Sequence, residues 1–170
     1  MTVEKVKEIL NRLINEKGIN YKMKDFLKEM LKKQSIVSIY LKNTDSSSFS
    51  LGILEAVKDN ELILKCISPD GKFDGHMWID LESIYRCETD DKYAKKIKKL
   101  QREERVEDIG QEVLSSKNLL RGLLEHAKEQ NKLIEISVEN ESFIGYLLRI
   151  SNNSIVIREI DSYGCKDGIN

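Results

Sequence analysis

The sequence has few of the features that build disulfide-rich, membrane-spanning or strongly charged proteins. Its three cysteines, Cys66, Cys87 and Cys165, are far apart and form no C-x-x-C pair, which indicates reduced thiols rather than a disulfide framework or a metal site. No apolar run approaches the length of a membrane-spanning helix. Charged residues make up 34% of the chain but nearly cancel at a net charge of −1, so binding to nucleic acid or anionic lipid requires a local patch.

The first ten residues, MTVEKVKEIL, contain neither the apolar segment nor the small-residue cleavage site of a signal peptide. Together with the scattered cysteines, this start predicts a cytoplasmic protein without a membrane anchor. The apolar fraction of 40% over 170 residues is sufficient for one compact domain or two small ones.

Common catalytic motifs are absent: the sequence has no nucleophile elbow, no P-loop and no dinucleotide-binding glycine run. Its two histidines, His76 and His126, have no partner at metal-ligand spacing. The segment that begins at Asp70 resembles the start of a calcium loop, but Lys72 and Leu81 occupy positions that need oxygen ligands, so a structural turn is the better interpretation. We therefore predict no enzyme activity, no cofactor, no metal and no identifiable small-molecule substrate.

The spacing of apolar residues predicts alternating helical and extended segments in the first half of the chain. Spacings of three and four predict amphipathic helices over residues 3–14 and 23–31. From Ser35 the period changes to two, with turn residues at 59–60 and 68–71. This pattern predicts five short strands, at residues 36–41, 51–57, 62–67, 76–80 and 83–88.

The second half repeats this order of helices followed by strands. Helical spacing returns after an acidic start at Asp90-Asp91 and again after Gly110. These patterns predict helices over residues 93–100 and 113–127, followed by strands at 134–138, 143–150 and 155–160.

Residues 52–75 align with residues 145–168 without a gap. Three of the identical positions are glycines at turns or bulges, where backbone geometry dictates the residue. The identical pairs are Gly52/Gly145, Leu54/Leu147, Asn60/Asn153, Ile67/Ile160, Gly71/Gly164, Asp74/Asp167 and Gly75/Gly168. The alignment predicts a duplicated unit. Two unrelated hairpins that share turn chemistry are the alternative.

A helix followed by five short, strongly bent strands, with a glycine early in the second, resembles the Sm-like barrel. Val37–Leu41 resembles its first strand, Gly52–Leu54 the second, and Ile79–Tyr85 the final strand pair. The chain is in this respect similar to uncharacterised bacterial proteins with tandem barrels. The resemblance implies an α+β chain of two units, residues 1–90 and 91–170. Each unit has helices followed by a small five-stranded antiparallel barrel, and the second barrel is incomplete at its C-terminus.

The Sm family implies binding of single-stranded RNA, through an Asp and an Asn around one turn and an Arg-Gly pair before the last strand. The equivalent positions hold other residues: Lys58 and Leu62 in the first copy, Ser151 and Ile155 in the second, and Asp80-Leu81 in place of Arg-Gly. None of these supplies the chemistry that reads an RNA base. The function of the family is therefore not transferred to any residue.

Positive charge is concentrated on one short helix, at Lys92, Lys95, Lys96, Lys98, Lys99 and Arg102. Such a cluster is typical of sequence-independent phosphate contacts with single-stranded RNA. A solvated helix face is the favoured interpretation, because the chain as a whole is not basic. Phe73, Trp78 and Tyr163 are candidates for an aromatic platform, although packing is again the favoured role.

We therefore expect a non-catalytic interaction or assembly module that acts through barrel edges and helix faces, with RNA binding by the basic helix as the alternative. The second copy reaches Gly168 without a counterpart of residues 78–88, which predicts an open strand edge. A longer parent protein, a neighbouring subunit or a covering helix are three ways to close it. We favour a homodimer, or a partner protein, at this edge.

Overall fold

The computed structural model describes residues 22–42, 48–101, 109–138, 141–160 and, for the backbone alone, 166–169. These residues form helices and antiparallel strands, which confirms the α+β class. The chain divides into two compact units, Met1–Val106 and Glu107–Asn170. The helix predicted over residues 3–14 lies outside the described residues.

A helix over residues 22–33 (α1) covers the core of the first sheet. The predicted apolar face is the one that packs: Leu27 and Met30 are buried, and Met23, Phe26 and Leu31 lie against the same cluster. Spacings of three and four place these side chains on one side of the helix, which confirms the prediction for this segment.

All five predicted strands of the first half form one antiparallel sheet, in the order β4-β3-β2-β1-β5. The strands are β1 (Ile36–Leu41), β2 (Ser50–Lys58), β3 (Glu61–Ile67), β4 (Phe73–Asp80) and β5 (Ile84–Thr89). Both predicted turns are confirmed. Asp59 has a φ of +37° between β2 and β3, and the Gly71 amide donates to the Ser68 carbonyl oxygen at 2.9 Å.

The prediction of a closed barrel is wrong, because the described strands of the first unit form an open sheet with β4 and β5 as its two edges. β4 pairs with β3 and β5 pairs with β1. The sheet is still strongly bent, since a single turn of 3-10 helix, Leu81–Ser83, connects these opposite edges. On a flat sheet, β4 and β5 would be four strand spacings apart, or about 19 Å. So short a connection spans at most about 14 Å.

A helix over Lys92–Leu100 (α2) follows the first sheet and packs on it. Its acidic start is confirmed, since the Asp91 carboxylate accepts the Ala94 amide at 2.6 Å. Ala94 and Ile97 are buried in a cluster with three residues of the sheet: Ile36, Leu51 and Ile67. The sequence placed the junction between the units near residue 90, whereas these contacts join α2 to the first unit, which ends at Val106.

The described residues of the second unit form two short helices, Gln111–Ser115 (α3) and Leu119–Glu129 (α4), followed by a four-stranded antiparallel sheet. In the order of the sheet, its strands are β6 (Leu133–Val138), β7 (Glu141–Ile150), β8 (Ile155–Ile160) and β9 (Lys166–Ile169). The prediction of one helix over residues 113–127 is wrong. Asn118 accepts the Arg121 amide at 2.6 Å and thereby begins a separate helix. Here too the described strands form an open sheet rather than a barrel.

Aligned positions of the two sheets have the same pairing register. Gly52 lies opposite Cys66, and Gly145 lies opposite Glu159. Each of the two hairpins also has a bulge further along its first strand, after Leu54 in β2 and after Leu147 in β7. A Cβ atom on either glycine would lie 2.2 Å from a backbone carbonyl oxygen of the facing strand. Both positions therefore require glycine, as expected where two backbones approach closely.

Candidate functional site

The exposed side of α2 presents the predicted lysines to solvent, at Lys92, Lys95, Lys96, Lys98 and Lys99. Arg102 lies outside the described residues. Within the part of the chain that the structure describes, none of the five lysines lies within 4 Å of a carboxylate. Their charges are thus available to an anionic partner.

The lysines differ in what lies beside them on α2. Successive residues of a helix are about 100° apart around its axis. Around the axis, Lys96 therefore lies about 60° from Tyr93 and Lys92 about 100° from it. Lys98 lies across the buried face from Tyr93, and Lys95 lies on the side of the helix that points away from it.

Four aromatic side chains form a cluster that ends at α2. The Tyr93 ring meets Phe49 edge-on at a centroid distance of 5.4 Å, and Phe49 lies 5.3 Å from Tyr40. Tyr85 completes the cluster at 6.0 Å from Tyr40. The Arg86 guanidinium also lies 4.5 Å from the centroid of the Tyr40 ring. Sequence reasoning missed this cluster, because its members come from β1, β5, α2 and the residue before β2.

The Phe49 and Tyr93 rings both line an open cleft of about 330 Å³. The two rings are more than one-third exposed, at 37% and 38%. Polar and apolar atoms contribute similar shares of its lining, which comprises Ser48, Phe49, Leu51, Ile67, Pro69 and Tyr93. Its volume lies at the lower end of the range for small-molecule sites, about 300–1,000 Å³.

Of the aromatic platform suggested by the sequence, the structure describes Phe73 and Trp78, which have separate partners. The Trp78 indole donates to the Glu61 carboxylate at 2.7 Å. Phe73 packs instead against His76, with ring centroids 5.0 Å apart, and beneath the Lys65 ammonium at 5.3 Å. Tyr163 lies outside the described residues. Packing therefore accounts for the two described members.

A half-buried polar group joins the middle strands of the first sheet to its β4 edge. His76 Nε2 lies 3.0 Å from Glu55 Oε2, and Lys65 Nζ lies 3.8 Å from Glu55 Oε1. The two facing atoms, His76 Nε2 and Glu55 Oε2, are buried without an aligned hydrogen bond. Among the described residues, no three His, Cys, Asp or Glu side chains come together as metal ligands. His126, near Glu112 at 3.5 Å, adds no such group.

The turn at Asp70 is structural. The Ser68 hydroxyl donates to its carboxylate, which lowers the pKa of Asp70, and Lys72 pairs with it at 3.1 Å. Leu62, at a position where the Sm family has a polar residue, is completely buried. Asp80 receives an Asn60 amide hydrogen bond at 2.7 Å and caps the 3-10 turn. Neither Leu62 nor Asp80 is therefore available to contact an RNA base.

Cys66 and Cys87 are free thiols that lie in half-buried positions. Burial raises the pKa of Cys66 to about 11 and that of Cys87 to about 12. Nucleophilic cysteines require the opposite shift, because the thiolate is the reactive form. Neither thiol is therefore suited to covalent catalysis.

The outer edge of β6 differs from the equivalent edge of the first sheet. There β5 pairs with β1, whereas no described strand pairs with the outer edge of β6. Half of the residues of such a strand direct their backbone N–H and C=O groups away from the sheet. β6 also exposes Leu133 and Val138, at 51% and 55%. This edge is a template for strand addition.

Comparisons of this chain with protein families, with curated proteins and with solved structures find no match. Within the described ranges, no helix combines the length and apolar character needed to cross a bilayer.

Proposed function

We propose that this chain is a non-catalytic assembly module built from two Sm-like units, and that it forms a homodimer through β6 of the second unit. The observation that carries this proposal is the β6 edge, which has no partner strand among the described residues although its counterpart β1 has one. The proposed compartment is the cytoplasm, where separate free thiols such as Cys66 and Cys87 are usual.

The duplication within this proposal is supported by the shared register, the shared bulge and the paired glycines at Gly52 and Gly145. The Sm-like likeness is supported by α1, which precedes a strongly bent antiparallel sheet with a required glycine in its second strand. An open sheet suits assembly better than a closed barrel, because its edge strands keep hydrogen-bonding capacity for another chain.

A second copy of the chain is the occupant that β6 fits best. Antiparallel pairing of β6 with itself satisfies both open edges through one two-fold axis. Side chains that face each other across such an axis come from the same face of the strand. A register centred on Ile136 therefore places Ile134 opposite the exposed Val138 of the second copy, so the two apolar cores become continuous.

A charge at the edge tests this arrangement. We expect the natural chain to be a dimer in size-exclusion chromatography with light scattering, and Val138→Lys to be a monomer, because a lysine on an edge strand blocks pairing. Ile144→Lys is the matched control, since Ile144 is also exposed, at 42%, but lies on the interior strand β7. Hydrogen exchange of β6 should slow as protein concentration rises. A natural chain that stays monomeric with slowly exchanging β6 amides contradicts the proposal.

Single-stranded RNA binding by α2 is the second candidate function. The specific observation in its favour is the set of exposed lysines with no carboxylate nearby in the described part of the chain. Each phosphate contact contributes about −0.7 to the slope of log affinity against log salt for a single strand. We therefore expect glutamine at Lys95, Lys96, Lys98 and Lys99 to reduce both the affinity and this slope. Weak affinity that the substitutions leave unchanged would restrict α2 to a solvated face.

A further inference from the structure

We propose that the cleft lined by Phe49 and Tyr93 binds the flat heteroaromatic base of a nucleotide, whose phosphate contacts Lys92 and Lys96. This inference rests on the second candidate function, RNA binding by α2. It adds a defined site and a ligand class that a row of lysines alone does not specify.

The geometry of the two rings favours a planar ligand. Phe49 and Tyr93 meet at an interplanar angle of 86°, so they form two walls of a corner. A flat base stacks on one wall and presents its edge to the other, which are the two arrangements that aromatic rings prefer. The floor of the corner is apolar, with Leu51 and Ile67 both buried. Stacking on such a surface is tolerant of base identity.

Charge beside the corner selects for an anion. Lys96 lies one helical turn after Tyr93, and side chains at this spacing have Cβ atoms about 5–6 Å apart. Lys92 immediately precedes Tyr93 and lies about 100° from it around the helix axis. Neither ammonium group lies within 4 Å of a carboxylate among the described residues, so both charges are available to a phosphate. An uncharged aromatic ligand would leave this pair unused.

The aromatic cluster also holds the walls in place. Phe49 is packed between Tyr40 and Tyr93, and Tyr40 is itself buried. A ring that is already positioned loses little conformational entropy when a base stacks on it. Tyr85 belongs to the cluster but does not line the cleft, which makes it a natural control.

The test compares a fluorescent hexauridylate with an abasic hexamer of the same charge, by anisotropy at low salt. We expect Phe49→Leu and Tyr93→Leu each to weaken hexauridylate binding about tenfold or more, because a leucine keeps the bulk but cannot stack. Tyr85→Leu should change it less than twofold. Circular dichroism melts confirm that each variant is folded. Equal effects of Phe49→Leu and Tyr85→Leu would overturn the cleft as the site.

The second measurement compares the salt dependence of binding in two double lysine-to-glutamine variants. Lys92→Gln with Lys96→Gln should lower the magnitude of the salt slope by about 0.7, the value for one neutralised phosphate. Lys95→Gln with Lys98→Gln removes the same charge from positions away from Tyr93 and should weaken binding less. Equal losses from the two pairs would overturn the assignment of Lys92 and Lys96.

The two probes separate failure of the site from failure of the candidate function. Equal affinity for hexauridylate and for the abasic hexamer would overturn the cleft and leave phosphate binding by α2 intact. No binding of either would overturn both. Competition by free uridine monophosphate assigns the site to a single nucleotide, and competition by strands alone assigns it to a polynucleotide. Binding of a proline-rich peptide in place of both nucleic-acid probes would also overturn the proposal.

Discussion

The two sheets follow one register but differ in how completely they bury aligned residues. Leu62 of the first sheet is inaccessible to solvent, whereas its aligned position, Ile155, is half-buried. The first core includes contributions from α1, β4 and β5, at Leu27, Ile79 and Ile84. The central hairpin therefore sets its register locally, through a glycine and a bulge. Burial depends on the elements that are added around that hairpin.

The largest expected difference comes from truncating this aligned pair. Leu62→Ala should cost about 4 kcal/mol of unfolding free energy in the first unit, since the cavity forms in a fully packed core. Ile155→Ala should cost about 2 kcal/mol in the second unit, because a half-buried site loses less apolar contact and collapses more easily. Hydrogen exchange measured strand by strand separates the two units. Equal costs would show that the two cores are equally well packed.

The glycine pair should behave in the opposite way, with equal effects in the two units. Alanine at Gly52 or at Gly145 places Cβ at 2.2 Å from a backbone oxygen, which flexible side chains cannot relieve. We expect each substitution to cost about 3 kcal/mol, at the upper end of the range for overpacking. Gly75→Ala is the control. No atom lies within 4 Å of its Cβ position, so only its φ of +80° opposes alanine, at about 1 kcal/mol.

Denaturant unfolding of Gly52→Ala and Gly145→Ala, followed by the exchange of β2 and β7, measures both costs. A loss at Gly52 without one at Gly145 would break the proposed equivalence of the two hairpins. Losses no larger than that of Gly75→Ala would show that the facing strands move apart without strain.

Local chemistry made most elements of this fold predictable from the sequence. The period of two identified β1 to β3, and Asp59 and Gly71 marked the turns between strands because their positive φ values suit these residues. The helix break at Asn118 was missed, since apolar spacing continues across it and only the side-chain cap shows where α4 begins. Sheet closure was mispredicted for a related reason: pairing between distant strands leaves no local periodicity to detect.

Of the two candidate sites, one was predictable from the sequence and the other was not. The lysines of α2 were visible as a run within nine residues, Lys92–Leu100. The Phe49–Tyr93 corner was not, because four strands of the first sheet, β2 to β5, separate its two walls along the chain. Single aromatic residues in a chain with 6% aromatics carry no pattern of their own. Only the bend of the sheet and the docking of α2 bring them together.

The smallest expected effects concern the N-terminal caps of α2, in the more completely buried first unit, and of α4, in the second unit. Asn118 accepts one amide, from Arg121. Asp91 accepts the Ala94 amide and also the hydroxyl of Ser38, a completely buried side chain, at 3.0 Å. Asn118→Ala should therefore cost about 1 kcal/mol, the usual value of a cap. Asp91→Ala should cost about 2 kcal/mol, because it also leaves a buried hydroxyl without its acceptor.

Ser38→Ala separates the two contributions of Asp91. In the Ser38→Ala background, Asp91→Ala should cost only about 1 kcal/mol, since no orphaned hydroxyl remains. Urea unfolding of the four combinations gives the coupling free energy between the two positions. A coupling near zero would mean that the Ser38 hydroxyl finds another acceptor when Asp91 is removed. In that case, only the helix cap and the burial of Ala94 and Ile97 would hold α2 on the first unit.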